Sequence, residues 1–236
     1  MDTMTEQATD YGSPAYGALR AASGREWQAY TRHDFVAGLG DGSLPREAYL
    51  RYLRQDYLFL IHFARAWALF AAKAERIDEM RAAAATVHAL IDTEMRLHIE
   101  TCAGEGIDAE ALAATEEAPA TLAYTRFVID AGLAGDGLDL LAALAPCVFG
   151  YGEIGRRLGV EAHPGTPYAP WIATYSGDDY QGVCREVATL LETVAARRIG
   201  GDIRQSPRWP DLARRFGTAC RLEAAFWQMG FSDAAR

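Results

Sequence analysis

The feature that most constrains this chain is an apolar repeat at three- and four-residue spacing that runs nearly end to end. No stretch alternates apolar and polar residues as a half-buried strand would. Residues 46–74 read as one long helix whose stripe is Tyr49, Leu53, Asp56, Leu60, Phe63 and Trp67. Residues 210–229 carry a second stripe of Leu212, Phe216, Ala219, Glu223, Phe226 and Gly230. Further helices are expected over 14–37, 77–103, 119–133, 138–158 and 179–199, with 163–177 (rich in Pro, Gly and aromatics) irregular. No repeat and no linker composition divides the chain. The expectation is an all-α fold: a flexible N-terminus over residues 1–12, then one helical domain over 13–236 with up-and-down character.

At 236 residues the chain is long enough to bury about 70% of its unfolded surface. Its 32 acids against 23 bases give a net charge of −9, and no basic block stands out, so nucleic acid is excluded as the expected partner. The longest uncharged run, Leu140 to Gly152, is too short to span a bilayer and is interrupted by Pro146, so no membrane segment is expected. The polar first twelve residues lack a signal-peptide core. Four cysteines far apart, without C-x-x-C spacing, suit reduced thiols in the cytoplasm and argue against a structural zinc site.

Two stripes contain a carboxylate where an apolar residue belongs. Asp56 has Tyr52, Leu53, Phe59 and Leu60 within one turn. Left unpaired there it would cost several kcal/mol. It is either a structural Asp satisfied by a neighbouring helix's Arg, Tyr or Trp, or a ligand-binding group. Glu223 is either ion-paired, for instance to Arg221, or held with a raised pKa that suits proton transfer near neutrality. In Ala145-Pro-Cys-Val-Phe-Gly-Tyr-Gly-Glu-Ile-Gly155, Pro146 removes a helical hydrogen bond just before Cys147, and Tyr151 shares that thiol's face. Cys102, Cys184 and Cys220 read as inert small hydrophobes.

These stretches together resemble the thiaminase II (TenA) family of haem-oxygenase-like helical bundles. The resemblance is carried by Gln55-Asp56, Thr121-Leu-Ala-Tyr124, Pro146-Cys147-x-x-x-Tyr151-x-Glu153, Trp171-Ile172-x-Thr174-Tyr175 and Glu223-x-x-Phe226-Trp227, in order over most of the chain. It implies catalytic roles for Cys147 as nucleophile, Glu223 as acid–base, and Tyr151 and Tyr175 in orienting the thiol or water. Asp56, Phe59, Tyr124 and Phe226 are implied as the substrate pocket. Phe59 stands where relatives often carry tyrosine, which keeps stacking but loses a hydroxyl. The implied activity is hydrolysis of 5-substituted 4-amino-2-methylpyrimidines in thiamin salvage. The thiol adds to the ring and the exocyclic CH2 expels its amine or thiazolium, with no metal or cofactor. A small aminopyrimidine as partner and a homotetramer are implied likewise.

Two other readings stay open. Glu94-x-x-x-His98, with Asp56, His62 and Glu153, could furnish a non-haem di-iron oxidase, although its spacing differs from Glu-x-x-His and solvated Glu–His pairs are common. Alternatively the pocket binds an aminopyrimidine without cleaving it. A haem would need an axial ligand, and His33 is the one early histidine, in a polar setting.

Overall fold

The structure is a computed structural model, and it describes residues 10–231. Among these there are helices and no strand. The helices are α1 (Pro14–Ala22), α2 (Gly24–Thr31), α3 (Asp34–Asp41), α4 (Arg46–Lys73), α5 (Ile77–Ala89), α6 (Met95–Gly104), α7 (Ala109–Ala113), α8 (Pro119–Ala134), α9 (Gly137–Glu161), α10 (Ala169–Ser176), α11 (Asp178–Ile199) and α12 (Trp209–Phe231). A π turn, Leu90–Glu94, joins α5 to α6, and a 3₁₀ turn, Ile203–Gln205, precedes α12.

Three elements depart from the periodicity. The single helix expected over 14–37 is three short ones, because the chain leaves helical geometry at Ser23 and at Arg32–His33. His33 then caps α3, its Nδ1 accepting from the Phe35 amide at 3.1 Å, which gives that histidine a structural use. The helix expected over 77–103 is interrupted by the π turn. The segment expected to be irregular over 163–177 contains α10, whose Pro170 fits a first helical turn and whose Trp171, Ile172 and Tyr175 are buried. Residues 1–9 of the segment expected to be flexible lie outside the described residues. Tyr11 stacks on Phe149 at 5.6 Å and its hydroxyl donates to Gln181 at 3.2 Å.

The boundaries that matter for the site have local causes. Asp136 and Asp139 form a reciprocal capping box at the start of α9. Gln55 on α4 pins the entry of α8. Its amide nitrogen donates to the Glu116 carbonyl, while its oxygen accepts from the Ala118 amide at 2.9 Å and from the Thr121 hydroxyl at 2.6 Å.

Helix α9 is the hub, packed on α2, α4, α8, α10, α11 and α12. Among the described residues it is also the one helix long and apolar enough to pass for a membrane span, yet most of it is buried in the bundle as a core helix. Its glycines permit the close approaches. A Cβ on Gly150 would overlap the Tyr30 ring, and one on Gly155 would overlap the Tyr175 carbonyl. Those two contacts fix α2 and α10 against the helix that carries Cys147.

Candidate active site

Helices α4, α6, α8, α9, α10 and α12 converge on one buried polar cluster lined by aromatic rings. On its α4 side, Asp56 is buried at 3% exposure and both of its hydrogen bonds fall on Oδ2. The Tyr52 hydroxyl donates at 3.1 Å and His98 Nε2 donates at 2.6 Å. His98 Nδ1 lies 3.0 Å from the Glu94 carbonyl. That carbonyl can only accept, so Nδ1 carries hydrogen, and with Nε2–H facing a carboxylate the ring is an imidazolium. Burial alone would lower the His98 pKa. The hydrogen bond and charge of Asp56, with the charge of Glu94, together outweigh it and raise the group to about 9.

Trp171 Nε1 donates to the Tyr52 hydroxyl at 3.3 Å, and the Tyr151 hydroxyl lies 3.4 Å from the same oxygen. Tyr175 donates to Glu94 Oε1 at 3.0 Å. The hydroxyls of Tyr151 and Tyr175, which the family pattern gives to the thiol or water, therefore engage Tyr52 and Glu94.

On the α12 side, Glu223 is 1% exposed. Its Oε1 accepts from the Tyr124 hydroxyl at 2.7 Å, and the Cys147 thiol and the Tyr30 hydroxyl lie near enough to influence its titration. Arg221, one partner considered for it, pairs outward with Glu26 at 3.4 Å instead. Burial without a cation raises the Glu223 pKa to about 8, against the lowering effect of the Tyr124 hydrogen bond and with the Asp56 charge adding to the rise. Cys147 itself is held well above the ordinary thiol range, first by burial and then by the charges of Glu223, Glu94 and Asp56. The resting group is a thiol. It keeps accessible surface, although every other residue from Leu140 to Gly152 is buried.

Aromatic residues close the cluster. Phe59 lies 5.0 Å from Tyr124 and 5.5 Å from Phe226, ring to ring, so these three pocket residues form one wall. Trp227 packs on Tyr52 and Tyr151 at 5.1 and 5.3 Å. A pocket of about 220 Å³ opens beside the cluster, with Glu94, His98, Trp171 and Tyr175 among its lining residues. Asp56, Cys147 and Glu223 are not in that lining. The His98–Asp56 contact joins pocket to cluster.

The structure thus groups Asp56, Tyr151 and Tyr175 on one side, and Cys147, Glu223, Tyr124, Phe59 and Phe226 on the other, around one interior. It also adds groups that the sequence stripes did not single out. Tyr30, fully buried on α2, faces Glu223 and Cys147 without a hydrogen bond of regular geometry. Tyr52 sits one turn before Asp56, which was the available signal. Glu94 and His98 are not a solvated surface pair. The π turn inserts an extra residue, which rotates α6 by about 100° relative to an unbroken helix and brings both residues inward. Nor do they belong to a di-iron ligand set. Glu153 is held by Arg20 at 2.8 Å and by Trp27 Nε1 at 3.0 Å, and His62 pairs with Glu117 and Arg126. Among the described residues no three His, Cys, Asp or Glu side chains are grouped to hold a metal.

Both raised groups make stability depend on pH in the same sense. A histidine raised from 6.5 to about 9 stabilises the fold fully below pH 6.5 and loses that contribution as pH rises through 9. The contribution is on the order of 3 kcal/mol. Glu223, raised from 4.5 to about 8, loses its contribution over the interval from 4.5 through 8. Melting temperature is therefore expected to fall by several degrees between pH 6.5 and 9.5, and His98→Asn is expected to flatten most of that slope. Thermal melts of both proteins across this range are the check; parallel curves would contradict the His98 assignment.

Fold and site define an all-helical bundle built around a partly accessible thiol flanked by carboxylates. The chain belongs to the TENA/THI-4/PQQC family, whose model matches residues 22–232. It is 36% identical over 211 residues to the aminopyrimidine aminohydrolase of Halalkalibacterium halodurans, covering 88% of this chain and 91% of that one. It is 31% identical over 222 residues to the Bacillus subtilis protein of the same name, covering 92% and 91%. Among solved structures, a TenA family transcription regulator from Silicibacter sp. TM1040 is 57% identical with a TM-score of 0.91, covering 93% of this chain and 97% of that one.

Proposed function

We propose that this protein is an aminopyrimidine aminohydrolase of thiamin salvage. It would convert 4-amino-5-aminomethyl-2-methylpyrimidine, and thiamine as a second substrate, to the 5-hydroxymethyl product. The observation that carries the reading is Glu223, buried without a cation, bonded to Tyr124 and near enough to the Cys147 thiol for each to shift the other's titration. The names of the two bacterial relatives support the same activity.

The flat pyrimidine lies against the wall of Phe59, Tyr124 and Phe226. Asp56 receives its amino edge on Oδ1, because Oδ2 is taken by Tyr52 and His98. Glu223, protonated at neutral pH, gives its proton to the ring nitrogen N1 and takes the one from the thiol. The sulfur then adds to the adjacent ring carbon without a free thiolate accumulating. The 4-amino nitrogen pushes its electrons through the ring and expels the 5-substituent, and the charge that develops there faces Asp56. Water adds to the exocyclic carbon and gives its proton to the released ammonia or, when thiazole is the leaving group, to solvent. The thiolate then leaves the ring and is reprotonated, while N1 returns its proton to Glu223.

The test is stoichiometric: the purified protein with the aminomethyl compound is expected to release one ammonia for each hydroxymethyl product. A second reading, binding without cleavage, is favoured by the name of the Silicibacter protein, and saturable binding with no product over many hours would establish it instead. The homo-oligomer and the cytoplasmic location implied by the family resemblance belong to the same proposal. Exposed Ile77, Met80 and Ile91 offer an apolar strip along α5 and the π turn for such assembly, and light scattering of the purified protein reads it directly.

A further inference from the structure

Glu94 is the one carboxylate of the site that also lines the 220 Å³ pocket. Its position is built. The π turn brings it inward, Tyr175 holds Oε1 at 3.0 Å, and its own backbone carbonyl anchors His98. His98 is already neutralised by Asp56 at 2.6 Å, and Arg46, at another part of the lining, pairs with Glu105. Glu94 has neither cation as a salt-bridge partner. Burial raises the Glu94 carboxyl, and the His98 charge and the Tyr175 hydrogen bond oppose that rise, as a bound cation would.

The pyrimidine's own geometry says what must reach Glu94. If N1 is on Glu223 and the 4-amino edge on Asp56, the substituent at C5 points between the amino group and the carbon attacked by sulfur. It cannot turn toward Glu223. The way out that the structure provides is the pocket lined by Glu94, His98, Trp171 and Tyr175.

We propose that Glu94 is the binding site for a positively charged leaving group, making this protein selective for substrates with a cationic 5-substituent. The inference rests on the function proposed above. An aminomethyl group enters as ammonium and a thiazolium carries a fixed charge, so both present a cation at the same place. When the exocyclic C–N bond breaks, its electron pair goes to nitrogen and ammonia or neutral thiazole departs. Glu94 forms no bond and moves no proton in that step. It holds the charge until the pair arrives, and the neutral leaving group then has no hold on it. A half-buried carboxylate facing a cation is a charge-assisted contact, and its removal weakens binding of the charged ligand selectively.

Glu94→Gln keeps the size and the acceptor for the Tyr175 hydroxyl, so it isolates the charge. At pH 7 it is expected to raise KM for the aminomethyl compound and for thiamine by about tenfold or more. The inhibition constants of the neutral hydroxymethyl and methoxymethyl pyrimidines are expected to stay within about twofold. Unchanged KM for both cations would overturn the proposal. So would an equal loss for neutral and cationic compounds, which marks a structural role. A wild-type protein that cleaves none of these compounds removes the function reading and this proposal with it, whereas the other two results remove this proposal alone.

Discussion

Cys147→Ser is expected to lower ammonia release from the aminomethylpyrimidine by a factor on the order of 10³ or more, with binding of the hydroxymethyl product nearly unchanged. The substitution removes the thiol whose titration responds to Glu223, Glu94 and Asp56 together. It keeps a small polar group of similar size, so the helix and the surrounding rings have little reason to move. The size of the effect follows from chemistry at this burial. The resting thiol is held protonated by burial and by the charges of Glu223, Glu94 and Asp56. It adds to the ring only because Glu223 can take its proton as the bond forms. A serine hydroxyl is a far weaker acid and a weaker nucleophile, and the same carboxylate cannot compensate for that. An unchanged rate would show that water attacks the exocyclic carbon directly, with the thiol as a bystander.

Glu223→Gln is expected to reduce kcat by 10²- to 10⁴-fold, the usual range for loss of a positioned acid–base group. Gln keeps the acceptor for Tyr124 but cannot relay a proton from sulfur to ring nitrogen. The pH profile separates this from a packing defect. Activity in the wild type requires protonated Glu223 and is expected to fall as pH rises through about 8, the value to which burial raises the group. In the variant that alkaline limb should disappear from the residual activity. If the limb persists in Glu223→Gln, another group carries the proton. Tyr30, unpartnered and facing the same thiol, is then the next residue to change.

Much of this site was legible in the chain because burial leaves a periodic record. Asp56 and Glu223 stand out since a carboxylate on an apolar stripe has to be explained, and Cys147 stands out by its place after Pro146 in the most apolar segment. The stripe also gave the extents of α4, α8, α9, α11 and α12 to within a few residues. What it did not give depends on irregular backbone and on long-range partners. The π turn leaves no signature in a three-and-four repeat, so Glu94 and His98 read either as ligands of a di-iron set or as a solvated pair. Their inward turn comes from one inserted residue. The break at Ser23 and the turn-rich approach to α10 are similarly local, set by caps and by Pro170 rather than by the apolar pattern. The partner of Asp56 was expected to be Arg, Tyr or Trp. Tyr52 donates from Asp56's own helix, and the partner from another helix is His98, 42 residues along the chain, which spacing alone could not assign.

The proposed chemistry requires one ring held between two groups of side chains, and a crystal structure with the hydroxymethyl aminopyrimidine bound tests that directly. The expected result places Cys147 Sγ about 3.5 Å from the ring carbon next to N1. Glu223 then lies within hydrogen-bonding distance of N1 and Asp56 Oδ1 on the 4-amino group. A ring seated in the outer pocket alone, or one whose nitrogens face away from both carboxylates with the sulfur out of reach, would contradict it.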